Sequence, residues 1–161
     1  MKIVIADTGA LISLGLTEHI GLIEEVFGEF YIANAVWEEL HNYDNPEFNT
    51  NILNEIKGKV KHIKSKNHLS IIMDYGESES VILYEELHAD YLLIDDNKAR
   101  IIAESLNINC IGSIGLLIKA KHKGLIQELK PIFEKWLSLD RYFSKKLLNS
   151  ILTTLGEEVI K

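Results

Sequence analysis

Tyr91-Leu92-Leu93-Ile94-Asp95-Asp96-Asn97 is an apolar run that stops on two acids and an amide. An unbroken apolar run of this length reads as a strand buried on both faces, the kind found in parallel sheets. The N-terminal stretch Lys2-Ile3-Val4-Ile5-Ala6-Asp7 repeats the pattern of a strand followed by an acid. Other strand-like runs are Glu29 to Ile32, Lys59 to Ile63 and Asn109 to Ile111. Helical spacing marks Ala10 to Leu14, Ile20 to Val26, Ala35 to His41, Ile52 to Lys57, Glu77 to Leu87, Asn97 to Ser105 and Ser113 to Lys121. Strands alternating with helices predict an α/β fold, with a central parallel sheet of four or five strands between helical layers.

A parallel sheet gathers the C-terminal ends of its strands along one edge, so acids placed there converge. Asp7 and the Asp95-Asp96 pair follow strands directly. Glu39 lies in the helix start Ala35-Val36-Trp37-Glu38-Glu39-Leu40, and Glu77 opens Gly76-Glu77-Ser78-Glu79. Glu38 and Glu39 diverge by roughly 100° on a helix, so only one faces a shared site. Glu39 is the better placed, beside the Val36–Leu40 stripe. Each acid also has a plain alternative: Asp7 as a helix N-cap, the glutamates as first-turn residues favoured by the helix dipole. Asp95-Asp96 resists that reading most. Converging carboxylates repel unless a cation or shared protons relieve them, and hard oxygen ligands suit magnesium or manganese.

The bulk numbers agree with a soluble domain. The chain has 161 residues, 47% hydrophobic and 25% charged, with a net charge of −7. Its one cysteine, Cys110, excludes an internal disulfide. The four apolar residues before Asp7 are too few for a signal peptide or a membrane span, which points to the cytoplasm. Phosphate-loop, zinc-protease and nucleophile-elbow motifs are missing. The acidity is awkward for a nucleic-acid protein. Lysines do cluster at 57, 59, 61, 64 and 66 and at 119, 121 and 123, either as solvated faces or as a rim gripping a phosphate backbone. Gly112-Ser113-Ile114-Gly115 reads as a phosphate-cradling turn or as simple capping by Ser113. Residues 1–125 carry the strand–helix alternation. Residues 126–161 read as helix only, over Ile126 to Leu137, Ser144 to Leu155 and Glu157 to Lys161, with Pro131 near a helix start, packed on the same domain or on a second copy.

The order of these motifs resembles the PIN domain: an Asp-Thr turn after the first strand, a Val-x-x-Glu-Leu helix, Gly-Glu-x-Glu, Leu-Ile-Asp-Asp-Asn, and Gly-Ser-x-Gly-Leu-Leu. Within that family it looks like the branch of predicted nucleic-acid-binding proteins related to VapC-type toxins. The resemblance implies a three-layer α/β/α sandwich and a metal-dependent endoribonuclease, the toxin of a toxin–antitoxin pair. It places Mg²⁺ or Mn²⁺ on Asp7, Glu39, Glu77 and one or both of Asp95 and Asp96, with Thr8, Asn97 and Ser113 in support. RNA as substrate, a small antitoxin and a homodimeric state are the implied partners. A catalytically silent PIN scaffold that binds nucleic acid or protein is the alternative. Glu77 departs from the pattern, since many relatives have Asp there.

Overall fold

The computed structural model describes residues 1–161. The chain begins with β1 (Lys2–Ala6), α1 (Thr8–Leu16), α2 (Leu22–Phe27), β2 (Gly28–Ala33), α3 (Asn34–Asn42) and α4 (Thr50–Ile56). A 3₁₀ turn at Lys57–Lys59 leads into β3 (Val60–Lys61), and a second at His68–Ile71 precedes α5 (Tyr75–Glu86). Then come β4 (Tyr91–Leu93), α6 (Asn97–Ser105), β5 (Cys110–Ile111), α7 (Ser113–His122), α8 (Lys130–Ser138) and α9 (Lys145–Thr154).

The five strands form one sheet in the order β3-β2-β1-β4-β5, with every pairing parallel. Ala6 sits opposite Leu93, so β1 and β4 end side by side. Strand order reverses between these two strands, and a doubly wound sheet opens its ligand crevice at such a switch point. Helices cover both faces: α3 packs on α5, which crosses β1, β2 and β4, while α2 packs on α7 and crosses β1 and β2. Val4, Ile5 and Ala6 are accordingly fully buried, as a strand sheltered on both sides requires. No helix is long and apolar enough to cross a membrane.

The tail joins the same core. Phe133, Trp136, Leu148 and Leu152 belong to the main apolar cluster, and Trp136 Nε1 donates to the Ser13 carbonyl at 2.7 Å. Two expected helical stretches differ. Residues 126–129 are not helical, because the Leu129 and Lys130 amides are held by the Glu157 carboxylate at 2.8–3.1 Å and Pro131 sets the start of α8. Residues 157–161 are not helical either: Glu157 is spent on those amides, and the Ile160 amide and carbonyl pair with the Asn149 side chain. Asn34 is the first residue of α3, with Ala33 in the cap position and no side-chain capping bond. The Ala35 amide is taken instead by Glu79, reaching across from α5 at 3.0 Å.

Candidate functional site

Asp7 leaves β1 at the switch point, its amide bonded to the Leu93 carbonyl at 2.9 Å. It holds the N-cap position of α1, yet its side chain makes no capping bond. The carboxyl is 5% exposed, and Oδ1 is buried without a partner. Burial, with Glu77, Glu39 and Asp95 adding like charge, pushes its pKa up to about 8 despite the Thr8 amide, which works the other way. The capping explanation for Asp7 therefore fails. A buried carboxylate oxygen left without a donor is costly, so a proton or a cation must answer it.

The other carboxylates are held by their own scaffolds. Glu39 turns inward from α3 and accepts bonds from the Thr8 hydroxyl and from the Gly76 amide, the latter at 3.0 Å. Glycine at 76 makes that approach possible: a Cβ there would stand 2.6 Å from Glu39 Oε1. Glu38 stays exposed and pairs with Asn34. Glu77, in the first turn of α5, is raised by burial and by the nearby charges of Asp96, Asp74 and Glu39. After β4 the two aspartates divide. Asp95 accepts from the Ser113 amide (2.7 Å), the Ser113 hydroxyl (2.7 Å) and the Tyr142 hydroxyl (2.7 Å), whereas Asp96 caps α6 through the Ala99 amide at 2.8 Å. Ser113 thus spends its amide and hydroxyl on Asp95 rather than cradling a phosphate.

Asp7, Thr8, Glu39, Glu77, Asp95, Asp96 and Asn97 line a single cleft of about 890 Å³. Ser113 reaches it through Asp95. Sequence reasoning passed over Asp74, Arg100 and Tyr142. Asp74 had a local signal, being an acid two residues before a glycine at a helix start. Arg100, one turn into α6, is the only basic side chain lining the cleft. Tyr142 had no signal: it arrives from the α8–α9 connector, 47 residues beyond Asp95. There Arg141 anchors it by donating to the Gly9 carbonyl (3.1 Å) and Ser13 hydroxyl (3.0 Å) while standing 4.5 Å from the Tyr142 ring centroid. Gly9 is small for this reason, since a Cβ would meet the Tyr142 hydroxyl at 3.2 Å. The lysine runs lie elsewhere. Lys119 and Lys121 fall in the last turn of α7, roughly 9–12 Å along the helix from Ser113. Lys121 pairs with Glu157, Lys123 with the Val26 carbonyl, and Lys59 with Glu24.

No three of these carboxylates approach closely enough to grip one ion directly. The donor set nonetheless fits a hard divalent cation: it is all oxygen, it concentrates negative charge, and it contains the unanswered Asp7 Oδ1. Magnesium in particular is commonly held by one or two carboxylates and completes its shell with water.

The family model DUF3368, described as a PIN domain, matches residues 3–157, which takes in the helical tail. The chain belongs to the PIN-domain family. No curated protein matches it. Membership implies nuclease activity in general, of the kind PIN domains typically run with divalent metals.

Proposed function

With PIN-domain membership as the premise, we propose that this chain is a divalent-cation-dependent endoribonuclease acting as the toxin of a toxin–antitoxin pair. The observation that carries the chemistry is Asp7, a buried carboxylate with an orphaned oxygen and three acidic neighbours at the sheet's switch point. Asp7, Glu39, Glu77, Asp95 and Asp96 are the residues that would hold Mg²⁺ or Mn²⁺. When bound, the cation supplies the charge that polarises a phosphodiester and acidifies water. The remaining work belongs to the protein. Thr8 and the Gly76 amide fix the Glu39 carboxylate. Ser113 and Tyr142 fix Asp95, so its orientation is set before substrate arrives. Carboxylates held this way would keep a bound cation in place, so that its charge acts without reorganising at the moment of reaction. Arg100 offers the cleft's one positive side chain to a phosphate oxygen. Asn97, at the rim, is a hydrogen-bonding group for the same strand.

The test is cleavage of end-labelled RNA in Mn²⁺ against EDTA, with Asp7→Asn as the control. The wild type is expected to cut only with the cation, and the variant at least ~10²-fold more slowly. A silent scaffold gives no cutting by either protein across a broad RNA panel. Ile71, Ile72 and Tyr75 are exposed beside Asp74 at the start of α5, an apolar surface suited to a second copy of the chain. A homodimer is therefore expected in sedimentation at micromolar concentration, and a lone monomer there refutes it. A small antitoxin is the further partner this reading entails.

A further inference from the structure

The cleft has two unlike halves. One is the carboxylate centre. The other is apolar and runs from Asp95 along the groove between α7 and the tail, lined by Ile114, Ile118, Tyr142, Phe143, Leu147 and Ile151. Tyr142 is 53% exposed and Leu147 45%, so this surface is open to solvent and not sealed core. Scattered exposed apolar residues need no explanation, but a contiguous set inside a cleft beside a charged centre does.

Tyr142 joins the halves. Its hydroxyl is fixed on Asp95 at 2.7 Å, its ring is backed by the Arg141 guanidinium at 4.5 Å, and Phe143 stands 4.6 Å from it in a tilted arrangement. Phe143 is itself stacked on the buried Trp136 at 4.5 Å. The ring is thus a rigid platform, held at three points, that still exposes part of its surface. We infer that this apolar half is a nucleobase-binding subsite, in which an unpaired base next to the scissile phosphate stacks on Tyr142 and lies against the aliphatic wall of α7 and α9. A base in a duplex has both faces covered by its neighbours, so the ligand is a single strand or an extruded nucleotide. The occupant follows from continuity. A phosphate at the carboxylate centre puts its own nucleoside within reach of the ring tied to Asp95, and stacking on an aromatic is the usual sequence-tolerant way to hold a base.

This subsite rests on the nuclease reading above, and the experiment separates the two. The full-length protein is titrated in saturating Mg²⁺ with adenosine 5′-monophosphate and with ribose 5-phosphate, which share the phosphate and differ in the base. The nucleotide is expected to bind about tenfold more tightly. The methyl signals of Ile114, Ile118, Leu147 and Ile151 should shift with the nucleotide and stay in place with ribose 5-phosphate. Tyr142→Ala should bring the two affinities together, whereas Tyr142→Phe, which keeps the ring, should keep most of the difference. Leu147→Asn, at an open position, should weaken the nucleotide several-fold and leave ribose 5-phosphate unchanged. If both probes bind the wild type equally, or the preference survives Tyr142→Ala, the base subsite is refuted while the nuclease reading stands. A groove that serves a protein partner gives that result. If neither probe binds with Mg²⁺ present, both readings fall together.

Discussion

Asp7 shows how much of the site's character rests on one residue. It is enclosed, one oxygen has no donor, and its nearest charged neighbours are acids. Asparagine keeps the shape and removes the charge, so Asp7→Asn should stabilise the protein in EDTA by roughly 2 kcal/mol, read from urea midpoints at pH 8. The same change should erase the gain from cation binding, which for the wild type is about 2.7 kcal/mol at a hundredfold excess over Kd. A variant less stable than the wild type in EDTA, or one with an undiminished Mn²⁺ response, would falsify the assignment. Legibility at this scale followed distance along the chain. Asp7, Asp95 and Asp96 announced themselves because they follow apolar strands, Asp7 after β1 and the aspartate pair after β4. The fastening of Asp95 by Tyr142 and the use of Gly9 to admit that ring join segments far apart in sequence, and nothing local encodes them.

At the scale of elements, the tail is secured at two places. One is Trp136 and Arg141 on α1. The other is Glu157, which collects the Lys121 ammonium at 2.6 Å and the amides of Leu129 and Lys130. Burial by itself would raise the Glu157 pKa, but the Lys121 bond and the two amides outweigh it and hold the pKa below the ordinary value. A depressed carboxylate contributes stability that is complete above its unfolded pKa and is lost as pH falls through the folded one. Glu157→Gln should therefore cost about 2 kcal/mol at pH 7, and the gap to the wild type should close as pH falls below about 4. Urea titrations at pH 7 and at pH 3 give the comparison, and a gap that stays constant refutes the role. This carboxylate also explains why the helical pattern misled at both ends of the tail. Ile126 to Leu129 and Glu157 to Lys161 carry helix-compatible residues, but a long-range ligand for the Leu129 and Lys130 amides outcompetes the local turn. The end of α8 and the start of α9 were easier, because apolar periodicity marks them directly.

For the whole molecule, charge decides how a nucleic acid can be held. The chain carries −7, and its two lysine runs do not line the cleft: Lys121 and Lys123 close the far end of α7 against Glu157 and the Val26 carbonyl, and Lys59 is paired with Glu24. Sequence could place Lys119 and Lys121 at the end of their helix but not show where that end lies relative to the cleft, whereas the parallel sheet followed from alternation alone. Affinity built on many lysine–phosphate contacts is steeply salt-dependent, with a log–log slope that grows with each phosphate neutralised. With Arg100 as the single basic side chain in the cleft, few counterions are displaced there, and the divalent cation must supply most of the attraction. Fluorescence anisotropy with a short labelled single-stranded RNA, in Ca²⁺ to slow cutting, should therefore show binding that vanishes in EDTA. Its salt slope should be shallower than about −3, since roughly one unit is contributed per phosphate contacted by the protein. Tight binding in EDTA with a steep slope would place the RNA on the lysine faces, away from Asp7, and the carboxylate cleft would then no longer be the site at which the strand is recognised.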